Sequence, residues 1–431
     1  MDFFWRYGTL PLADGPWGVH TVGSQFLYFD WTIFRFPTQS CRVSQPFRTF
    51  PNLFAASTWR LLLSLLCGLP AVLSGTASLR AAEPKGGPVY TDPANVDADF
   101  RFQGEYRGWQ KMQKAFRSVD AVGLQVVAQG DGKFIASKYY GGLPGDGWNQ
   151  GERFEMAGTV TDGQVQLTGG QFDVLVDGYI ATIYTHAGER VGELTKVERV
   201  SPTMGAAPPI GAIVLFDGTD ASRWKGAKIT PEGLLQAGCD TADNWQDFRL
   251  HAEFMLPYKP KGVGQDRGNS GFYLQSRYEV QVLDSFGLEG AFNECGSLYR
   301  TRRPDVNMCL PPLQWQTYDI DLKSAKFDAD GKKISDMVIS VWHNGVLVHN
   351  KVSLSTKTGA GKPEGPEALP TKLQDHGNPV VYRNIWIVDK TQPVPGTSGR
   401  IQIDHLTPPT PIRRTFDARP ELYPISLPNG R

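Results

Sequence analysis

Three polar side chains interrupt an apolar stretch near the middle of the chain, within the segment NSGFYLQSRYEVQVLDSFG (269–287). Alternate residues of a β-strand point to opposite faces, so Glu279 and Gln281 are expected to share one face. Asp284 reaches that face only if a β-bulge adds one residue. Two carboxyl groups on one surface are the smallest set of side chains with which enzymes usually cleave a glycosidic bond. A solvated edge strand that ends in a turn at Asp284 explains the same pattern.

The elements that would position these side chains are strands rather than helices. The chain contains 47 glycines and 31 prolines, and short alternating segments recur from residue 212 to residue 410. The dipeptide Asn344-Gly345 predicts a hairpin with a type I′ turn. We therefore expect an all-β fold in which residues 212–410 form an antiparallel two-sheet sandwich. The Gly- and Pro-rich segment 354–372 predicts an exposed loop.

The part of the chain before this sandwich predicts a smaller unit. Residues 97–200 are expected to form a β-rich accessory domain, because turn signals at 130–132 and at Asp162-Gly163 mark two hairpins. A short helix is expected in the segment EYRGWQKMQKAF (105–116). The uncharged Pro/Gly/Ala segment 201–211 predicts a linker. Nothing in 97–200 indicates catalysis.

The ends of the chain predict targeting and tail segments. An apolar stretch with a basic flank and small residues near its end predicts a signal peptide over 56–82, and hence a periplasmic or extracellular protein. Residues 1–55 are a doubtful leader that a mis-assigned start would explain, and 411–431 form a tail. A transmembrane helix is the alternative for the apolar stretch. After signal cleavage no stable membrane insertion is expected.

Composition excludes several classes of partner. Lysine plus arginine equals aspartate plus glutamate, 44 of each, so no excess positive charge favours nucleic acid. No nucleotide-binding glycine motif precedes a helix, and no P-loop is present.

Three cysteines follow the signal segment and allow at most one bridge, with Cys295 and Cys309 nearest in sequence.

Seven motifs occur in order along the second half of the chain, and together they resemble a known family. They are LFDGTDASRW (215–224), NSGFYLQ (269–275), YEVQVLD (278–284), CGSLY (295–299), WQTYDI (315–320), HNGVLV (343–348) and LQDHGNPVVYRNIWI (373–387). The family is the 3-keto-disaccharide hydrolase domain, and the resemblance covers about 212–390. It implies a concanavalin-like jelly-roll sandwich with a sugar cleft, in a secreted protein whose partner is a carbohydrate, an oxidised disaccharide, oligosaccharide or glycoside.

The reaction that this resemblance implies needs a base. A ketone at sugar carbon 3 acidifies the proton on carbon 2, so its removal gives an enolate that expels the aglycone from carbon 1, and water then adds. Glu279 or Asp284 could be the base. His376, Arg383 or a bound divalent cation could stabilise the enolate. We count Glu279, Asp284 and His376 as the predicted catalytic residues.

Further site residues are expected to bind the sugar. They are Gln281, Gln374, Arg383, Tyr299 and Trp315. Each has a plainer explanation, because aromatic residues are often buried in cores, Arg383 could pair with a core carboxylate, and His376-Gly377 could be a polar turn. No cofactor is firmly indicated. Glu279, Asp375 and His376 are candidate ligands of a divalent metal, although one imidazole does not specify zinc.

Two other functions stay open on the sequence alone. Laminarinase-type β-glucanases carry a Glu-x-Asp-x-x-Glu strand, and EVQVLD keeps its spacing with Gln281 and Asp284 in place of the second and third acids. A retaining hydrolase needs two carboxyl groups about 5–5.5 Å apart. The other alternative is a non-catalytic carbohydrate-binding protein, since jelly rolls are also lectin scaffolds.

Overall fold

The computed structural model describes residues 86–111 and 119–391. The predicted leader, signal peptide and C-terminal tail lie outside these described residues. No helix within the described ranges is long and apolar enough to cross a membrane. The described structure is nearly all β, which confirms the predicted fold class.

The first compact element is a closed antiparallel barrel of eight strands, each paired with the next along the chain. Its interior is filled by apolar side chains such as Leu124, Phe134 and Val174, all at most 1% exposed. The predicted hairpins are present, because Asp131 and Asp162 adopt positive φ in the tight turns. The strands are β1 (Gly104–Lys111), β2 (Val119–Gly130), β3 (Lys133–Tyr140), β4 (Arg153–Thr161), β5 (Gln164–Gly169), β6 (Phe172–Val176), β7 (Ile180–Thr185) and β8 (Arg190–Val197).

Beyond residue 212 the chain forms the predicted antiparallel sandwich. Its strands are β9 (Ile213–Phe216), β10 (Trp224–Lys225), β11 (Leu235–Gln236), β12 (Cys239–Thr241), β13 (Phe248–Met255), β14 (Asn269–Leu274), β15 (Tyr278–Leu283), β16 (Trp315–Lys323), β17 (Lys326–Phe327), β18 (Lys333–Ser335), β19 (Met337–His343), β20 (Val346–Leu354), β21 (Lys372–Leu373) and β22 (Val381–Asp389). Two one-turn 3-10 helices, Pro93–Asn95 and Gly264–Asp266, lie in connecting segments.

Two sheets enclose the sandwich core. The smaller has five strands in the order β10-β12-β21-β14-β15. The larger has seven, in the order β11-β22-β13-β16-β19-β20 with β9 beside β22. Phe272 and Val280 of the smaller sheet belong to the same core cluster as Phe254 and Ile385 of the larger, and all four are fully buried. The predicted hairpin at Asn344-Gly345 joins β19 to β20 with both residues at positive φ.

The predicted helix over 105–116 is wrong for its described part. Glu105–Lys111 lies in β1, where it pairs with β2 on one side and with β8 on the other. β1 closes the barrel, so a helix there would leave two strand edges without partners. Barrel closure therefore overrides the local helical preference.

The segment 201–206 is bound to the sandwich rather than free in solvent. The Gly205 N–H donates to Glu253 Oε1 at 2.6 Å, and the Ala206 carbonyl oxygen accepts from Trp386 Nε1 at 3.1 Å. Ser201 Oγ lies 2.6 Å from Thr317 Oγ1. This first half of the predicted linker therefore lies across the outer face of the larger sheet.

The three cysteines of the described residues are buried free thiols. The bridge that the spacing of Cys295 and Cys309 allows is therefore not formed.

Candidate functional site

The outer face of the smaller sheet carries one continuous row of polar side chains. Cross-strand pairing places Lys225 opposite Asp240, Asp240 opposite Lys372, Lys372 opposite Tyr273, and Tyr273 opposite Glu279. The inward neighbours of these residues form the core, so alternation sends this row to the other face. Five strands thus contribute one side chain each to a single surface.

Glu279 is the most deeply placed member of this row. It is 1% exposed. A Cβ at Gly271, the residue of β14 that pairs with Gln281, would lie 2.5 Å from Glu279 Oε1, so the glycine makes room for the carboxyl group. The amide nitrogen of Gln281, in the orientation that pairs donors with acceptors, lies 3.0 Å from Glu279 Oε1. Glu279 and Gln281 therefore share a face, as strand alternation predicts.

The Gly- and Pro-rich segment 354–372 is a loop with most of its residues exposed or half-buried, as predicted, but its central part passes over Glu279 and buries single residues there. Thr358 is fully buried, and its Oγ1 accepts a hydrogen bond from the Glu279 backbone N–H at 2.6 Å. Gly359 passes so close that a Cβ there would lie 2.8 Å from Tyr299 and 3.3 Å from Glu279 Oε2. The Lys362 N–H donates to the Ser276 carbonyl at 2.8 Å and fastens the far end.

Burial changes the acid–base properties of this carboxyl group. Desolvation raises the pKa of Glu279 to about 7, and a hydrogen bond from Tyr273 lowers it by less. The same burial and the adjacent carboxylate raise the pKa of the Tyr273 hydroxyl well above its usual value. Glu279 Oε2 is buried without a hydrogen-bond partner. A carboxyl group of this kind can exchange a proton near neutral pH.

A cavity of about 370 Å³ opens beside Glu279 on the same face. Tyr273 and Ala360 form its wall toward Glu279, and Lys372 and Gln374 lie along the neighbouring strand. The Gln374 side-chain oxygen Oε1 is buried and lacks a partner. The volume falls within the range of small-molecule sites, roughly 300–1,000 Å³. This cavity and the carboxyl group behind it constitute the candidate site.

Asp284 does not share this surface, and the predicted β-bulge is absent. The pairing of β14 with β15 is regular from Tyr278 to Leu283, so no extra residue turns Asp284 toward Glu279. Asp284 is 1% exposed and accepts a hydrogen bond from Arg267 Nε at 2.8 Å. Burial raises the pKa of Asp284, although the Arg267 guanidinium opposes the shift. Its geometry is that of a buried ion pair.

Arg383 and Trp315 lie on the other sheet of the sandwich, so the structure does not bring them to Glu279. Arg383 Nε donates to Glu253 Oε2 at 2.7 Å, and its guanidinium stacks 3.9 Å from the centre of the Trp315 ring. Cross-strand pairing in the larger sheet places Arg383 opposite Glu253. Arg383 therefore pairs with a core carboxylate, which is the alternative to sugar binding that the sequence left open.

Of the remaining predicted residues, some lie at the candidate site and others lie outside it. Tyr299 is beside the site, since its N–H donates to the Glu279 carbonyl at 3.1 Å. Gln374 lines the cavity, whereas His376 is exposed on the following turn and is not part of the lining. Asp375 Oδ1 accepts from the Gly377 N–H at 2.8 Å, which makes an ordinary turn. Within the described ranges, no group of three or more His, Cys, Asp or Glu side chains could hold a metal ion.

Four residues of the polar row were not predicted from the sequence. Tyr273 has the clearest signal, because SGFYLQS alternates so that Tyr273 falls two residues after Gly271 on the outer face. Lys225, Asp240 and Lys372 lie in strands of two or three residues. Strands this short show no period from which a face could be read.

The fold and site together define a two-layer antiparallel β-sandwich with a polar cavity on the outer face of its smaller sheet. Residues 211–388 match the family model of the 3-keto-alpha-glucoside-1,2-lyase-like domain, and the chain belongs to this family. Family membership indicates an enzyme that acts on glycosidic bonds.

Solved structures of other proteins are similar to parts of the chain. A protein of Parabacteroides distasonis, provisionally assigned as a glycosyl hydrolase, is 33% identical, with 42% of this chain and 84% of that chain covered and a TM-score of 0.39. A second such protein from that organism is 20% identical, with 45% and 98% covered and a TM-score of 0.31. A mutant sialidase of Trypanosoma rangeli with trans-sialidase activity is 9% identical, with 62% and 49% covered and a TM-score of 0.24. No curated protein matches the chain.

Proposed function

We propose that this protein cleaves 3-keto-glycosides by removing the proton on sugar carbon 2, eliminating the aglycone from carbon 1 and adding water to the product. The observation that carries the proposal is Glu279, a buried carboxyl group with a pKa of about 7 behind the wall of a polar cavity. A base works best when its pKa lies near the working pH. The proposal includes secretion, for which the segment 56–82 is the support.

Tyr273 provides the route between the cavity and Glu279. Its side chain lines the cavity and interacts with the Glu279 carboxyl group, whereas Glu279 itself lies behind it. The Tyr273 oxygen takes the carbon-2 proton as the hydroxyl proton passes to Glu279. The electron pair of the broken C–H bond moves into the C2–C3 bond and onto the ketone oxygen. When the ketone re-forms, the C1–O bond breaks and the aglycone leaves, taking a proton from solvent.

Lys372 is positioned to stabilise the negative charge of the enolate. It is the cross-strand neighbour of Tyr273 on the same face and lines the same cavity. A cation near the point where charge develops lowers the barrier most, because the charge is larger in the transition state than in the substrate. This role replaces the one expected of Arg383, which pairs with Glu253 on the other sheet.

The placement of the carboxyl groups favours this route over a retaining glycosidase. Asp240 is the one acid among the cavity-lining residues, and three strand-to-strand steps separate it from Glu279. At about 4.8 Å a step, the two backbones are about 14 Å apart. A retaining mechanism needs carboxyl groups about 5–5.5 Å apart. Asp284 is held in its ion pair with Arg267 and does not supply the second acid.

Isotope substitution at carbon 2 tests the proposed reaction. The full-length protein should cleave a 3-keto-glucoside and leave the matching unoxidised glucoside intact, because only the ketone acidifies the carbon-2 proton. Deuterium at carbon 2 should slow single-turnover cleavage by a primary isotope effect, measured by rapid quench. Equal cleavage of both glucosides would support the retaining alternative instead, and binding without cleavage of either would support a carbohydrate-binding protein.

The pH dependence of the reaction should report Glu279. The base must be ionised before it accepts a proton, so kcat/KM on a neutral 3-keto-glucoside should rise about tenfold per pH unit below a pKa of about 7 and level off above it. The measurement is a pH profile of kcat/KM from pH 5 to pH 9. Asp375→Asn removes an exposed carboxylate near the cavity and should leave the profile unchanged. A profile that falls over this range would contradict a basic role for Glu279.

A further inference from the structure

The cavity carries more positive charge than a neutral sugar requires. Three lysines, Lys225, Lys362 and Lys372, line it together with a single acid, Asp240. Lys225 Nζ donates to the Ala242 carbonyl at 3.2 Å, and within the described ranges none of the three lysines forms an ion pair with a carboxylate. The chain as a whole has equal numbers of acidic and basic side chains, so this local excess does not follow from composition.

The three lysines come from separate parts of the fold. Lys225 is on the edge strand β10, Lys372 is on β21, and Lys362 is on the covering segment that also fastens over Ser276. Lys372 is next to Tyr273, whereas Lys225 lies beyond Asp240 at the far end of the row. The positive charge therefore extends past the reacting position, to where another part of a substrate would lie.

Polar groups without partners indicate that the cavity is built for a ligand. Gln374 Oε1 is buried beside Lys372 and makes no hydrogen bond in the structure. An unpaired buried acceptor costs free energy until a donor such as a sugar hydroxyl reaches it. The exposed ammonium groups of Lys225 and Lys362 are also able to bind an anion without first breaking an ion pair.

We propose that the cavity recognises a glycoside bearing an acidic group, a carboxylate or sulfate, which is held by Lys225, at the end of the row away from Glu279, and by Lys362 on the covering segment. This inference rests on the proposed function for the identity of the ligand as a sugar. It adds a substrate class, acidic glycosides, and two specificity-determining residues. Asp240, between Lys225 and Lys372 in the row, offsets one of the three positive charges and leaves the cavity lining net positive.

Direct binding of two matched probes tests the proposal without catalysis. Methyl glucuronide and methyl glucoside differ in the carboxylate on carbon 6, and their affinities for the full-length protein can be compared by calorimetry. Two partly exposed ion pairs should make the glucuronide bind roughly five- to tenfold more tightly at low salt. Because salt screens exposed charges, the difference should shrink in 0.5 M sodium chloride.

Lysine variants decide which residues are responsible. The double variant Lys225→Gln/Lys362→Gln should bind both probes equally, while Lys228→Gln removes an exposed lysine outside the cavity lining and should keep the preference. Equal affinity of the wild-type protein for both probes, binding of neither, or a preference that survives in the double variant would overturn the proposal. A retained preference for the glucuronide together with no carbon-2 isotope effect would refute the proposed reaction and leave the acidic-sugar site standing.

Discussion

Replacing Glu279 with glutamine should lower kcat on a 3-keto-glucoside by about 10²- to 10⁴-fold, the usual contribution of a general base. The substitution keeps the shape of the side chain and its contact with Gln281, but the amide cannot accept the proton that Tyr273 passes on. KM should change little, because Tyr273 and Lys372 rather than Glu279 line the cavity. Steady-state kinetics on the wild-type and variant proteins measure both quantities.

A companion variant and a stability measurement separate catalysis from folding. Tyr273→Phe should also lose most activity, since it breaks the route to Glu279. Folding raises the pKa of Glu279 from the 4.5 of a free glutamate to about 7, so ionising this carboxyl group costs stability as the pH rises from 4.5 through 7. The full cost is about 3 kcal/mol above pH 7. Glu279→Gln should therefore unfold no earlier than the wild-type protein at pH 8. Activity within tenfold of wild type would refute the assigned role.

Removing the guanidinium of Arg267 should destabilise the folded protein by about 3–5 kcal/mol, the usual cost of leaving one buried charge without its partner. Arg267 and Asp284 are both almost fully buried, and their side chains are 2.8 Å apart. The Arg267 guanidinium also contacts the Ala128 carbonyl of β2 at 3.4 Å, so the pair lies where barrel and sandwich meet. Chemical unfolding of Arg267→Met measures the loss.

Two further variants test whether the loss of stability comes from leaving a buried charge without its partner. Arg303→Met breaks an exposed pair with Glu289, whose side chains are 57% and 64% exposed, and should cost less than about 1 kcal/mol. Arg267→Met/Asp284→Leu removes both charges and should recover much of the stability. In Arg267→Met the deficit should shrink as the pH falls, because Asp284 then folds in its neutral form. Equal losses for Arg267→Met and Arg303→Met would show that the buried pair contributes no more than a surface pair.

Local patterns in the sequence indicate which face of a strand a residue occupies, but not which sheet the strand joins. Alternation places Glu279 with Gln281 correctly, and simple alternation also sends Asp284 away from them. The expectation of a bulge was wrong because it added a feature that no local residue required. Arg383 and Trp315 were grouped with Glu279 although their strands belong to the larger sheet. Sheet membership is decided by pairing between distant segments, which alternation does not report.

The covering segment shows a second limit of sequence reasoning. Its glycines and prolines carry no period, so they predict only a loop. Its position depends on single tertiary contacts such as the one between Thr358 Oγ1 and the Glu279 N–H. Such a contact joins residues 79 positions apart and leaves no local signal. The pKa of Glu279 is raised by burial to which this cover contributes, and that shift too was beyond prediction from the strand alone.

The contacts of residues 201–206 have a practical meaning for dissecting the protein. A fragment cut at the start of the family match, residue 211, would strip the Gly205 and Ala206 partners from Glu253 and Trp386. Those side chains would then face water on a bare sheet, beside a buried histidine stacked on the same tryptophan. Truncations intended to isolate the sandwich should therefore begin before Ser201, so that the fragment keeps residues 201–206 together with the sheet that they cover.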